Sequence, residues 1–142
     1  MLVRCIYASR TEQAISTHLL DQILEQSRRN NARNGITGLL CSTSNVFVQA
    51  IEGGRDEVSQ LFTAIMRDQR HTGIRLLSFE EITQRVFGNW TMGQANVASL
   101  NPSILLKYGR LAELDPFDLP AHSTFSLLVE LSESGGISRR TG

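Results

Sequence analysis

Residues 46–54 read VFVQAIEGG, a strand pattern that ends at two glycines. Val46, Phe47, Val48, Ala50 and Ile51 make it apolar on both faces, as a covered central strand requires. The rest of the fold must therefore supply layers that hide it. Gln49 is the exception. Side chains alternate along a strand, so Gln49 shares a face with Phe47 and Ile51. Burying its amide without partners costs about 1–3 kcal/mol. A residue of this kind needs a hydrogen-bonding counterpart from elsewhere in the chain.

The neighbouring periodicities supply the elements. Leu2 to Ser9 reads as a first strand, with Val3, Cys5, Tyr7 and Ser9 on one face. Ser16 or Thr17 can cap a helix that runs to about Asn30, with Ile15, Leu19, Leu20, Ile23 and Leu24 as its apolar stripe. The stretch ITGLLCS is a second strand, TSN a short hairpin loop and VFVQAIE the third strand. Val58, Leu61, Phe62, Ile65 and Met66 have helical spacing; Asp56 and Glu57 stand in the first turn and Arg67 and Arg70 near the end, as the helix dipole favours. IRLLSFEEIT is a fourth strand, and WTMGQANV is a candidate fifth with Trp90 and Met92 on one face. This order predicts an α+β fold: a ferredoxin-like βαββαβ plan with a further strand, an antiparallel sheet and both helices on one face. Ser103 to Leu111 and Ser123 to Leu131 predict two short C-terminal helices. The expected division is residues 1–98 as a domain, 99–132 as a helical extension and 133–142 as a disordered tail.

Fourteen basic and fourteen acidic residues cancel, so charge gives no reason to expect a nucleic acid or an anionic membrane as partner. No apolar run approaches the ~20 residues of a bilayer span, and no leader pattern precedes the first strand; a cytoplasmic location is expected. Cys5 and Cys41 lack metal-ligand spacing and sit in apolar strands, where buried free thiols are expected.

Several polar residues do not suit a core. Tyr7 and Gln49 lie mid-strand on strands that neighbour each other in this plan, so the phenol can bond the amide. Asn31 follows the first helix, and Arg70-His71 follows the second. Taken singly, Tyr7 is a core tyrosine, Asn31 a turn residue, Arg70-His71 a helix-end charge pair, and Trp90 and Met92 packing. Taken together, they suggest a pocket between the two helices with a few convergent amides, suited to a flat ligand with polar edges.

Five pieces stand in order along the chain: IYAS, NNARNGITGLL, FVQAIEG, RDQRH and NWTM. With them the chain resembles the BLUF domain, a blue-light sensor that binds flavin adenine dinucleotide (FAD), over about residues 2–97. The resemblance implies roles by position. Tyr7 would give an electron to the excited flavin, and Gln49 would lie between Tyr7 and the flavin N5/O4 edge. Asn31 would bond the O4/N3 side. Arg70 and His71 would contact the flavin carbonyl and ribityl side, supported by Asp68. Ser9 would be a supporting hydroxyl near strand one. Trp90 and Met92 would be a switching pair, and Ile23, Leu24 and Ile36 would pack on the ring. Position 30 is Asn, where some relatives carry His.

No cyclase or phosphodiesterase sequence follows, so the resemblance is to short stand-alone members. The implied output is contact with a downstream response protein, not enzymatic activity. A homo-oligomer is expected from the apolar Leu76, Leu77, Phe79 and Ile82 and from Phe117, Leu119 and Phe125. Two other readings compete. One is a ferredoxin-like ligand-binding or assembly domain that does not respond to light. The other is an acylphosphatase-type enzyme, whose phosphate-cradling loop is poorly served by ASRTEQAIS, which has no glycine.

Overall fold

The apolar runs become strands and the helical stripes become helices, in the expected order. A computed structural model describes residues 1–69, 72–97 and 100–133. Its elements are β1 (Leu2–Arg10), α1 (Thr17–Asn34), β2 (Thr37–Ser42), β3 (Val46–Gly54), α2 (Arg55–Arg67), β4 (Thr72–Ile82), β5 (Gly93–Asn96), α3 (Pro102–Tyr108) and α4 (Ala121–Glu133). The tail expected to be disordered lies, beyond Glu133, outside the described residues.

The strands form one sheet in the order β4-β1-β3-β2-β5. β1 is antiparallel to β3 and β4, and β2 is antiparallel to β3. The fifth strand departs from the antiparallel expectation, because β5 runs parallel to β2. After β4 the chain reverses and crosses the sheet through residues 83–92 to the opposite edge. There its direction matches that of β2.

Both helices of the repeat cover one face. Val58, Leu61, Phe62 and Ile65 of α2 pack on Val3, Cys5, Tyr7 and Ile51. Leu20, Ile23 and Leu24 of α1 pack with Leu40, Phe47 and Met92. The opposite face carries Ile6, Ala8, Leu39, Cys41, Val48 and Ala50, and it is covered by Leu105 of α3 and Leu127, Leu128 and Leu131 of α4. The C-terminal helices are thus the layer that the two-faced apolarity of VFVQAI demands.

α1 opens on Ser16, whose hydroxyl accepts from Leu19 N at 3.0 Å. It runs past Asn30 to Asn34. Gly35 ends it by taking φ 67°, which glycine adopts without steric cost. Asn31 consequently lies in the last helical turn and not in a loop. Asn101 caps α3, with Pro102 in its first turn.

One buried ion pair ties the crossover to the sheet. Arg4 Nε meets Glu52 Oε2 at 2.9 Å, with both side chains almost wholly buried. Glu52 Oε1 also accepts from Val86 N at 3.0 Å and Phe87 N at 2.6 Å. The Arg4 guanidinium lies 4.3 Å from the ring centre of Phe125 on α4.

Candidate functional site

Period-two alternation and the β1–β3 register bring Tyr7 directly opposite Gln49. The buried Tyr7 hydroxyl donates to Gln49 Oε1. The other end of the amide, Nε2, donates to Met92 Sδ at 3.2 Å. Gln49 therefore has the partners its burial calls for, and one of them is a thioether, a weak acceptor. Burial pushes the Tyr7 phenol well above its ordinary pKa, and nearby Cys5 and Asp68 push it the same way. The phenol stays protonated and able to donate.

A cleft between α1 and α2 opens onto this pair. Ile23, Gln26, Ser27 and Asn30 of α1 line one wall, and Leu61, Ala64 and Ile65 of α2, with Asp68 just after it, line the other; Tyr7 and Gln49 lie in the lining too. Each wall has one helical face, since both sets recur every three or four residues. Gln26, Ser27 and Ala64 were not singled out in the sequence, and Leu61 and Ile65 only as members of the apolar stripe of α2. The readable signal is that the apolar stripe of α1 ends at Leu24 while its face continues in polar residues.

Asn31 is buried beside this cleft. Its Nδ2 donates to Thr91 O at 2.7 Å, while its Oδ1 has no partner among the described residues. An orphaned buried acceptor costs about 1–3 kcal/mol unless a ligand satisfies it. A flat ring with a polar N–H edge, such as a flavin, fits that need and the cleft between the helices. Ile23 lines the cleft, whereas Leu24 packs with Leu40, Phe47 and Met92, and Ile36 packs with Ile51 and Val58. Ser9 is fully buried on the Tyr7 face of β1. Arg70 and His71 lie outside the described residues.

Trp90 and Met92 do not share a face as the strand reading predicted. Met92 is buried on the α1 side, and Trp90 packs with the cluster on the opposite face. β5 begins only at Gly93, so strand alternation does not govern the two residues before it. Their carbonyls bond outside the β5 ladder: Trp90 O accepts from Gly38 N and Met92 O from Arg28 Nε, each at 3.0 Å.

Comparison with known proteins identifies the family and the fold. Residues 2–93 match the model of the BLUF family, described as sensors of blue light using FAD. The photoactivated adenylate cyclase subunit beta of Euglena gracilis is 33% identical over 95 residues, which cover 66% of this chain and 11% of that protein. The chain thus spans only about a tenth of that relative's length. Among solved structures, the photo-activated state of BlsA is 31% identical with a TM-score of 0.82, covering 98% of this chain and 100% of that one. The dark state of BlrB, a BLUF protein, is 33% identical with a TM-score of 0.76, covering 91% and 92%. With the family match spanning residues 2–93 of 142, the chain belongs to the BLUF family and senses blue light with FAD as its cofactor.

Proposed function

We propose that Tyr7 is the electron donor of this sensor and that the Gln49 amide is its switch. The reading rests on one observation: the buried Tyr7 hydroxyl donates to Gln49 Oε1. Bound FAD supplies a ring that absorbs blue light and is then a strong oxidant. With FAD bound, Tyr7 would give an electron to that ring, and its hydroxyl proton would have a path along the hydrogen bond to Gln49 Oε1. Gln49 would then change its donor pattern by rotation, tautomerisation or both, and would exchange the weak acceptor Met92 Sδ for a stronger one. A stronger hydrogen bond from Gln49 to the bound ring would shift its absorption to the red. Asn31 would hold the ring edge through its orphaned Oδ1, and the apolar Ile23, Leu61 and Ile65 would exclude water from the cleft.

Cys5 and Cys41 are free thiols that burial pushes up to about 12, so neither offers a thiolate for covalent attachment. The altered Gln49 displaces Met92, and with it the Trp90–Met92 segment that touches both sheet faces. We propose that the C-terminal helices carry this change to a downstream response protein, with the chain acting as a sensor and not as an enzyme. A homo-oligomer and a cytoplasmic location belong to the same proposal.

The test is optical. Purified protein is expected to be yellow, to red-shift under blue light and to recover in darkness. Tyr7→Phe is expected to keep its flavin and lose the stable red shift. Normal switching in Tyr7→Phe would remove the electron-donor role.

A further inference from the structure

Three successive carbonyls precede β5, and three different donors take them. Trp90 O accepts from Gly38 N of β2, Thr91 O from Asn31 Nδ2 and Met92 O from Arg28 Nε, at 3.0, 2.7 and 3.0 Å. Arg28 and Asn31 are one helical turn apart, so a single turn of α1 grips the Thr91–Met92 dipeptide. That dipeptide lies ahead of the β5 ladder, which begins at Gly93. Met92 then reaches Gln49 Nε2 with its sulfur at 3.2 Å. A methionine side chain is unbranched and adaptable, so the place of its sulfur depends on where its backbone is held.

We propose that Arg28 is a positioning residue for the Gln49 switch. By holding the Met92 carbonyl to α1, it keeps the thioether against Gln49 Nε2 and favours the amide arrangement in which Oε1 faces Tyr7. Arg28 acts through the Met92 carbonyl, to which its Nε donates at 3.0 Å. The inference rests on the two-arrangement reading of Gln49. It adds that the balance between the arrangements is set from α1, one layer away from the strand that carries the amide. The guanidinium is suited to this task, because its donor geometry is fixed and its charge persists at any working pH.

The test uses the flavin-loaded full chain and follows the Gln49 side-chain amide by NMR, in darkness and under blue light. Arg28→Met keeps the aliphatic stem and removes the donor. Loss of one hydrogen bond of ordinary net strength is expected to change the ratio of the two amide arrangements by about three- to tenfold in darkness. Flavin content is expected to stay at the wild-type level. Arg28→Lys, whose ammonium can still donate to the carbonyl, is expected to return the wild-type signals. Arg33→Ala, which removes an exposed charge from the same helix, is expected to leave them unchanged. If Gln49 signals in Arg28→Met coincide with wild type while wild-type signals still move under light, the positioning role is wrong and the Gln49 reading stands. If wild-type Gln49 signals do not respond to light, the Gln49 reading fails and the inference falls with it. Should Arg28→Met not fold, Arg28→Ala takes its place as the variant without a donor: an arrangement ratio equal to wild type in it overturns the proposal, and a shifted ratio supports it.

Discussion

Arg4 and Glu52 form an ion pair at 2.9 Å on the face of the sheet opposite Tyr7 and Gln49, and the Glu52 carboxylate also takes the backbone N–H groups of Val86 and Phe87. One buried carboxylate thus joins β1, β3 and the segment that crosses from β4 to β5. Removing one member of such a pair leaves the other charge buried. Glu52→Ala is expected to lower stability by about 3–5 kcal/mol, measured by urea unfolding. Glu52→Gln keeps an acceptor for the crossover and is expected to lose less. Equal losses in the two variants would show that the charge, and not the acceptor, carries the stability.

Gln49→Leu nearly preserves volume but deprives the Tyr7 hydroxyl of this acceptor. The variant is expected to be less stable by about 1–3 kcal/mol, to retain flavin and to lose the red shift. Flavin absorbance before and after illumination checks both halves. A retained red shift would assign the switch to another residue.

Gly38 sits where no side chain fits. A Cβ there would lie 2.1 Å from Ala50 O and 3.2 Å from the terminal methyl of Met92. The first contact is with backbone, which cannot turn aside. Gly38→Ala is expected to cost about 3 kcal/mol of stability and to disturb the Met92 sulfur in the same step. Thermal unfolding and the dark absorption maximum should both change. A Tm equal to wild type would mean that β2 can move away from β3 at little cost.

Alkaline pH tests the two tyrosines and the two buried thiols. The Tyr108 hydroxyl donates to Glu130 Oε2 at 2.6 Å, and that bond, with some desolvation, pushes its pKa up to about 12. Burial pushes Tyr7 up as well. These are the two tyrosines of the chain, so the folded protein is expected to show little phenolate absorbance at pH 10, the ordinary tyrosine value. Cys5 and Cys41 rise from 9.0 to about 12. Above pH 9 the unfolded chain loses these thiol protons while the folded chain keeps them. Stability is therefore expected to be undiminished by the thiols below pH 9 and to fall between pH 9 and 12. Urea midpoints across that range, in wild type and in Cys41→Ala, measure the thiol share.

Much of the fold was legible because two periodicities carry it. Strand alternation put Tyr7 and Gln49 on one face, and the β1–β3 pairing then had only to bring them level. The helical spacing from Val58 to Met66 marked the body of α2. The parallel placement of β5 was not legible, since nothing in WTMGQANV says which edge it joins. Trp90 and Met92 were misassigned to one face because their carbonyls bond Gly38 and Arg28, which ends the strand pattern before Gly93. That competition is tertiary and leaves no trace in local sequence. Asn31 looked like a turn residue because asparagines surround it, yet Gly35 and not asparagine stops the helix. The cleft residues Gln26 and Ser27 were visible only as a polar continuation of an apolar face.

β3 has a strand on each edge and a packed helical layer on each face. A strand so enclosed cannot slide by a fraction of an ångström and stay there, because close-packed surroundings accept discrete arrangements and resist intermediate ones. If Gln49 is the switch proposed above, the message that leaves it along this strand is quantised: each molecule would either hold its dark packing or abandon it, and light intensity would set how many had done so, not how far each had moved.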